Sequence, residues 1–319
     1  MAAHRDIHQI LKEGWGFDAF RGKQEEVVRS ILAGRDTLAL LPTGAGKSIC
    51  FQVPALAMGK MCLVVSPLIA LMKDQVARLK KRGISAVAIT SGMRREEIDN
   101  ALDSCMAGKR SFLYVSPERL GTDAFRGRLP RMPLGLIAVD EAHCISSWGY
   151  DFRPSYLKIK EARDLVPGIP VLALTASATP MVAVDIEAKL GFTGGQRITA
   201  SFRRSEITYW ANECEDKTGR LLRVVRGMEG SGIVYVRERR GTVRIANLLK
   251  QNGIGAAAYH AGLDLAERDR VQREWSEGRL RFVAATTAFG MGIDKADVRL
   301  VVHMEPPPDP ESYYQEAGR

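Results

Sequence analysis

Short, continuous apolar runs punctuate the chain, and each leads through a turn into a stretch with helical spacing. The first series is Thr37-Leu-Ala-Leu-Leu41, Cys62-Leu-Val-Val-Ser66, Phe112-Leu-Tyr-Val115, Leu134-Gly-Leu-Ile-Ala-Val139 and Val171-Leu-Ala-Leu174. Runs of this length without polar alternation suit strands buried on both faces. Between them, Met72, Val76 and Leu79 fall on one helical face, and further on so do Ile245, Leu248 and Leu249. The pattern predicts an α/β fold of mostly parallel sheets flanked by helices. The series pauses after Phe192-Thr-Gly-Gly195, where Ala200-Ser-Phe-Arg-Arg-Ser-Glu206 shows no period. It then resumes with Gly232-Ile-Val-Tyr-Val236, Ala256-Ala-Ala-Tyr259, Leu280-Arg-Phe-Val-Ala-Ala285 and Arg299-Leu-Val-Val-His303. We therefore expect two domains, residues 1–200 and 201–319. Pro306-Pro-Pro308 reads as a stiff connector before a last helical segment.

Composition narrows the class. The 319 residues allow two domains at about 150 residues each. With 45% hydrophobic and 26% charged residues, the chain can bury real cores, which excludes disordered, collagen-like and small disulfide-scaffold classes. The net charge of +9 favours a polyanionic partner, nucleic acid or phosphate, over an acidic-site binder. Residues 1–200 hold 27 basic and 20 acidic side chains, against 19 and 17 in residues 201–319, so the first domain would feel a polyanion most. The five cysteines, Cys50, Cys62, Cys105, Cys144 and Cys214, are scattered with no C-x-x-C spacing, so no zinc is expected. An odd count of scattered cysteines with no apolar leader in Met1-Ala-Ala-His-Arg-Asp-Ile-His-Gln-Ile10 reads as reduced thiols in a cytoplasmic protein. No apolar run approaches the roughly 18–20 residues of a membrane span, so no membrane partner is expected.

Two motifs carry the chemistry. Leu41-Pro-Thr-Gly-Ala-Gly-Lys-Ser48 lies between a predicted strand and a predicted helix. Small residues there let backbone N–H groups wrap a phosphate at a helix N-terminus. Thr43, Gly44, Ala45, Gly46, Lys47 and Ser48 form this loop; Lys47 is placed to reach the β- and γ-phosphates and Ser48 to bind Mg²⁺. Val139-Asp-Glu-Ala-His143 closes another apolar strand. A carboxylate at a strand's carboxyl end can hold Mg²⁺ beside a phosphate loop, which makes Asp140 the metal candidate. Glu141 is the candidate general base for the attacking water, and His143 can pass nucleotide state to other elements.

With these motifs placed, the sequence closely resembles the helicase core of RecQ family DNA helicases of superfamily 2, essentially from residue 10 to its last residue. The resemblance implies two tandem RecA-like domains with one ATP per chain in the cleft between them. Gly16-Phe-Asp-Ala-Phe-Arg-Gly-Lys-Gln24 looks like the family's opening motif, in which Gln24 reads the adenine edge and Arg21 assists. Val64-Val-Ser-Pro-Leu-Ile-Ala-Leu-Met-Lys-Asp-Gln-Val76 and Tyr114-Val-Ser-Pro-Glu-Arg-Leu120 resemble motifs Ia and Ib. They make Ser66, Lys73, Ser116 and Arg119 candidates for the sugar-phosphate backbone of DNA.

Ala142-His-Cys-Ile-Ser-Ser-Trp-Gly-Tyr-Asp-Phe-Arg-Pro154 is similar to the aromatic-rich loop that marks RecQ proteins. Trp148, Tyr150 and Phe152 follow neither strand nor helix period, and beside Arg153 they suit a platform for unstacked bases. Leu174-Thr-Ala-Ser-Ala-Thr179 resembles motif III, with Thr175 and Ser177 linking hydrolysis to movement. In the second domain, Tyr259-His-Ala-Gly-Leu263 and Ala285-Thr-Thr-Ala-Phe-Gly-Met-Gly-Ile-Asp-Lys295 match family segments. They imply DNA contacts at His260 and Thr286 and a nucleotide role for Asp294. Gly232-Ile-Val-Tyr-Val-Arg-Glu-Arg-Arg240 is more charged near Glu238 than motif IV of the family.

Ser312-Tyr-Tyr-Gln-Glu-Ala-Gly-Arg319 resembles motif VI, with Arg319 the first of two family arginines; the second is not reached by residue 319, and the expectation is either a fragment of a longer protein or a truncated gene product. The leading expectation is an ATP- and Mg²⁺-dependent DNA helicase core moving 3′ to 5′, monomeric, associated with the nucleoid and acting on single-stranded and partly duplex DNA. Two others stand beside it: an ATP- and DNA-binding module with little turnover for want of the second arginine, and an RNA helicase of the same superfamily.

Overall fold

The computed structural model describes residues 4–319 except 150, 205, 288, 290–294 and 296. Tyr150 and Asp294, both singled out from the sequence, lie outside the described residues. The chain divides into two compact units, Met1–Arg203 and Arg204–Arg319.

The first unit runs α1 (Ile7–Trp15), α2 (Gln24–Leu32), β1 (Thr37–Leu40), α3 (Ile49–Met58), β2 (Met61–Val65), α4 (Ile69–Lys81), β3 (Ala86–Ile89) and α5 (Arg95–Met106). It continues with β4 (Phe112–Val115), α6 (Asp123–Arg126), β5 (Leu134–Val139), α7 (Lys158–Asp164), β6 (Val171–Thr175), α8 (Pro180–Leu190) and β7 (Gln196–Thr199). The strands form one seven-stranded sheet in the order β3-β4-β2-β5-β6-β1-β7, with every described pairing parallel. Side chains alternate across it. Leu38, Leu63, Val65, Leu113 and Ile137 enter one buried cluster, while Ala39, Cys62, Val64, Phe112 and Leu136 enter another. Helices cover both faces, so both faces must be apolar, which is why these strands read as unbroken hydrophobic runs.

The second unit contains α9 (Lys217–Gly227), β8 (Ser231–Tyr235), α10 (Arg239–Gln251), β9 (Ala256–Tyr259), α11 (Leu265–Ser276), β10 (Phe282–Ala285), β11 (Val298–His303) and α12 (Pro310–Ala317). Its four strands are parallel in the order β11-β8-β10-β9. Val234, Phe282 and Ala284 pack on one side; Ile233, Val283, Ala285 and Trp275 pack on the other.

All nine apolar runs form strands. Two further strands, β3 and β7, escape the sequence pattern, and both are sheet edges. In β7 only Ile198 is buried, so its Gln-Arg-Ile-Thr sequence carries almost no hydrophobic signal. It forms because β1 offers a free edge: Gln196 N–H donates to Asp36 C=O at 2.8 Å and Ala200 N–H to Leu40 C=O at 3.0 Å.

One ionic staple fixes the amino ends of three strands. Asp36 Oδ2 lies 2.5 Å from an Arg163 guanidinium nitrogen, and Asp36 Oδ1 accepts from Val171 N–H at 3.0 Å. The other arm of Arg163 donates to the C=O groups of Leu190 and Gly191, the end of α8. The pair is mostly buried and every charged atom named has a partner, so removing either member strands the other. Arg163→Ala is expected to lower stability by about 3 kcal/mol in urea unfolding. A loss under about 0.5 kcal/mol, the range of ordinary surface changes, would contradict this role.

Candidate active site

The carboxyl ends of neighbouring strands β1, β6 and β5 bring three motifs to one edge of the first unit. Parallel α/β sheets place their sites at such an edge, because the chain leaves every strand there into a loop. After β1 the loop through Thr43 and Lys47 leads into α3, with Gly44 at φ 74° and Gly46 at φ 67°. These left-handed angles suit glycine and turn the loop around the helix start. Gly46 has a second reason: a Cβ there would lie 2.7 Å from Gln24 Nε2. Ser48 opens α3, and Thr43 is buried.

Gln24 is itself buried and committed to this loop. Its Nε2 donates to the C=O of Ala45 at 2.8 Å and of Gly46 at 3.1 Å, while Oε1 accepts from Arg21 N–H at 2.9 Å. Both amide hydrogens are spent, so reading an adenine edge requires this link to open. Arg21 is exposed, with its guanidinium over the Phe17 ring at 5.2 Å.

At the end of β5, Asp140 N–H donates to Val65 C=O, and Glu141 then turns into the left-handed region at φ 48°. Among the described residues it is the one non-glycine residue with positive φ, a conformation that costs on the order of 1 kcal/mol or more. Asp140 Oδ1 accepts from Glu141 N–H at 3.1 Å, Ser66 Oγ donates to Asp140 Oδ2 at 3.4 Å, and Tyr156 OH donates to Asp140 C=O at 2.9 Å. Ser66 is buried, so the structure turns this candidate inward to the carboxylate, not outward to a nucleic-acid backbone.

Burial and the adjacent Glu141 hold the Asp140 carboxyl above the ordinary carboxylate range, and the Lys47 ammonium opposes them. Two adjacent carboxylates whose repulsion one lysine does not fully offset suit a divalent cation. Glu141 Oε2 is buried and accepts no hydrogen bond from a described residue, although it lies 3.4 Å from His143 Nδ1. Such an orphaned acceptor fits a site shaped for a further donor, such as water.

His143 is fully buried. Burial lowers its pKa, against the pull of Glu141, so the ring is held neutral. Its Nδ1 is 2.9 Å from Thr175 Oγ1 at the end of β6, and Thr175 Oγ1 accepts from Ser177 N–H at 3.2 Å. On the other side, Nε2 is 3.7 Å from Cys144 Sγ, which donates to Asp151 Oδ2 at 3.6 Å. Asp151 in turn accepts from both Arg153 Nε and a terminal Arg153 nitrogen.

The aromatic loop thus begins where the carboxylate turn ends. Arg153 N–H donates to Cys144 C=O at 2.8 Å, which closes the loop at its neck. Gly149 N–H donates to Ser146 C=O at 3.1 Å, and a Cβ on Gly149 would crowd His143 C=O at 3.0 Å. Helix α8 grips the loop through two residues one turn apart. Asp185 accepts from Ser146 Oγ at 2.6 Å; Lys189 pairs with Asp185 at 2.9 Å, donates to Ile145 C=O at 3.2 Å, and lies over the Phe152 ring at 5.5 Å. Trp148 remains 66% exposed and Phe152 39%, exposure that a covering role under the loop would not leave.

The remaining candidates are more dispersed. Lys73 is exposed on α4, Ser116 caps a short 3-10 turn (Pro117–Gly121), and Arg119 lies within that turn, partly exposed. In the second unit, His260 and Thr286 follow neighbouring strands β9 and β10, and both are half-buried. Thr286 N–H donates to Tyr259 C=O, and His260 Nδ1 is buried without a described partner. Arg319 follows α12; its charge acts on the buried Tyr235 hydroxyl, and its Nε makes no described hydrogen bond. Sequence reading missed Gln75, Tyr114, Gln52, Asp185, Lys189 and Tyr156, all of which serve the site. The signal for Gln75 was legible: it interrupts the inward stripe Met72, Val76, Leu79 of α4 with an amide. Gln52 does the same in α3, whose other residues are apolar.

Comparison with known proteins follows the same division. A DEAD/DEAH box helicase family model matches residues 21–186, and a helicase conserved C-terminal domain model matches residues 216–319. ATP-dependent DNA helicase RecQ of Haemophilus influenzae is 42% identical over 311 residues, covering 97% of this chain and 50% of the relative. ATP-dependent DNA helicase RecQ of Bacillus subtilis is 41% identical over 319 residues, covering 99% and 54%. The chain spans about half the length of these relatives. Among solved structures, the Mycobacterium smegmatis helicase Lhr bound to ssDNA and AMP-PNP shares the fold with a TM-score of 0.76 at 21% identity, over 100% of this chain and 46% of that one.

The raised pKa of Asp140 has a consequence for stability. The fold binds this proton more tightly than the unfolded chain does. Its contribution is therefore complete below the ordinary carboxylate range and is lost as pH rises through the raised value. Asp140→Asn is expected to stabilise the metal-free chain at about pH 8 and change it little near pH 4, read by urea unfolding at both values. Equal effects at the two pH values would contradict the assignment.

Proposed function

Because the chain belongs to the DEAD/DEAH box helicase family, and within it to the RecQ proteins, we propose that it is the ATP-driven motor core of a DNA helicase. It moves 3′ to 5′ on one strand and opens duplex DNA in repair or recombination. The observation that carries this reading is the single edge at which phosphate loop, Asp140–Glu141 and His143–Thr175 meet, with the aromatic loop leaving directly from it. Residues 1–200 form the ATP-binding domain and residues 201–319 the second RecA-like domain. The substrate is single-stranded or partly duplex DNA, met in the cytoplasm by a monomer.

In this reading the loop from Thr43 to Ser48 and the start of α3 bind the triphosphate through backbone N–H groups, and Lys47 meets its terminal phosphates. Mg²⁺, when bound, neutralises phosphate charge, with Ser48 and Asp140 as its protein ligands. Glu141 takes the proton of the attacking water at Oε2, the atom that accepts no hydrogen bond from a described residue. An imidazolium at His143 would pair with the Glu141 carboxylate 3.4 Å away, which the neutral ring does not do.

Trp148, Phe152 and Arg153 stack unpaired bases, while Lys73, Ser116, Arg119, His260 and Thr286 follow the backbone. Arg21 and, once released from the loop, Gln24 hold the adenine. The path Thr175–His143–Cys144–Asp151–Arg153 joins the nucleotide site to the base platform through side-chain contacts.

Lys47→Ala is expected to abolish measurable Mg²⁺-ATP binding by calorimetry; unchanged affinity would refute the phosphate site. Trp148→Ala is expected to weaken binding of a labelled single-stranded oligonucleotide roughly tenfold while ADP affinity holds, since a stacked base contributes about 1–3 kcal/mol. Undiminished oligonucleotide affinity would remove the loop from the DNA surface. The overall reading is tested by ATP hydrolysis with and without single-stranded DNA. Stimulation by DNA over RNA supports it, and hydrolysis indifferent to DNA overturns it.

A further inference from the structure

Gln75 is a polar residue on the inward stripe of α4, and its amide reaches the phosphate loop. Gln75 Nε2 donates to Ser48 Oγ at 2.9 Å. Its Oε1 accepts from Tyr114 OH at 3.0 Å and from Gln52 Nε2 at 3.2 Å, and Gln52 Nε2 also approaches Tyr114 OH at 3.4 Å. Tyr114 is fully buried on β4 and Gln52 is buried in α3.

We infer that Gln75 is a positioning residue for the Ser48 hydroxyl, setting it as a metal ligand and tying Mg²⁺-nucleotide affinity to helix α4. This rests on the reading of Ser48 as a Mg²⁺ ligand. In this arrangement Tyr114 OH and Gln52 Nε2 both donate to Gln75 Oε1 while Gln75 Nε2 donates to Ser48 Oγ, so every donor in the set meets an acceptor. The donated hydrogen occupies one lone pair of Ser48 Oγ. The hydroxyl rotor is thereby restricted, leaving the second lone pair for a cation and directing the O–H hydrogen away from it. A free rotor would spend part of its time with that hydrogen toward the cation.

Two members of this amide–phenol–amide set, Tyr114 and Gln52, are buried and Gln75 is half-buried; such a set is costly unless complete, and here each side chain has a partner. Lys73, exposed two residues earlier on α4, is a DNA-backbone candidate. A pull on α4 from nucleic acid is therefore transmitted to Ser48 through one side chain.

The test measures ADP binding to the full 319-residue chain by calorimetry, in Mg²⁺ and in EDTA. The quantity read is the ratio of the two affinities. Gln75→Met keeps volume and removes the donor; it is expected to cut the Mg²⁺ enhancement roughly fivefold with EDTA affinity unchanged, the scale of one net hydrogen bond. Tyr114→Phe, which frees the amide to flip while keeping the packing, is expected to cut it in the same sense by a smaller factor. An unchanged ratio in both variants overturns the inference, as does an equal loss in Mg²⁺ and EDTA, which marks a merely structural residue. Ser48→Ala separates the premise: an intact Mg²⁺ enhancement in that variant refutes Ser48 as ligand, whatever Gln75 does.

Discussion

The turn at Glu141 is the constraint on which the site depends. A strand that simply continued past Val139 would carry the two carboxylates on opposite faces. The left-handed backbone at Glu141 breaks that alternation and brings His143 back against Thr175. Its strain is held by what surrounds it. Val65 C=O takes the Asp140 N–H, Asp140 Oδ1 takes the Glu141 N–H, and the Tyr156 hydroxyl holds the Asp140 carbonyl from beyond the aromatic loop. A residue just beyond the loop therefore helps to fix the turn from which the loop starts.

This reciprocity gives the unit its mechanical character. The sheet is rigid because both of its faces are packed with apolar side chains, and the Asp36–Arg163 staple locks its far end. The edge at the carboxyl ends of β1, β6 and β5, in contrast, is laced by polar groups with few alternatives in an apolar interior. His143 touches Thr175 on one side and Cys144 on the other; Asp185 and Lys189 hold the loop from α8. In a low-dielectric setting such contacts change in discrete steps, since a lost partner leaves a buried group unsatisfied. A change at one of these contacts is thus passed to the next by exchange of partners instead of dissipating in soft packing.

The core of the fold is legible in the sequence because central parallel strands need apolar residues on both faces. Edge strand β7 is not, because it rests on the open hydrogen-bonding edge of β1, which no local pattern reveals. The site divides along the same line. The phosphate loop and the Asp140–Glu141 pair are contiguous motifs, and spacing alone marks them. Ser66 sits in an equally clear motif, yet its hydroxyl turns inward to Asp140 because the neighbouring ends of β2 and β5 lie side by side. Asp185 acts across 39 residues, Lys189 across 44 and Tyr156 across 16, and only the folded chain shows why those side chains matter. Gln75 and Gln52 stand between: an amide in an apolar stripe announces that it needs a partner without naming it.

Through the Glu141 turn, the proposed nucleotide site and the aromatic loop should respond as one unit. Hydrogen–deuterium exchange of the chain with and without a non-hydrolysable Mg²⁺-ATP analogue tests it most directly. Altered protection of the amides from Ile145 to Arg153 is expected together with that of the phosphate loop, in the absence of any nucleic acid. Protection confined to the phosphate loop, with the aromatic loop exchanging as before, would contradict it.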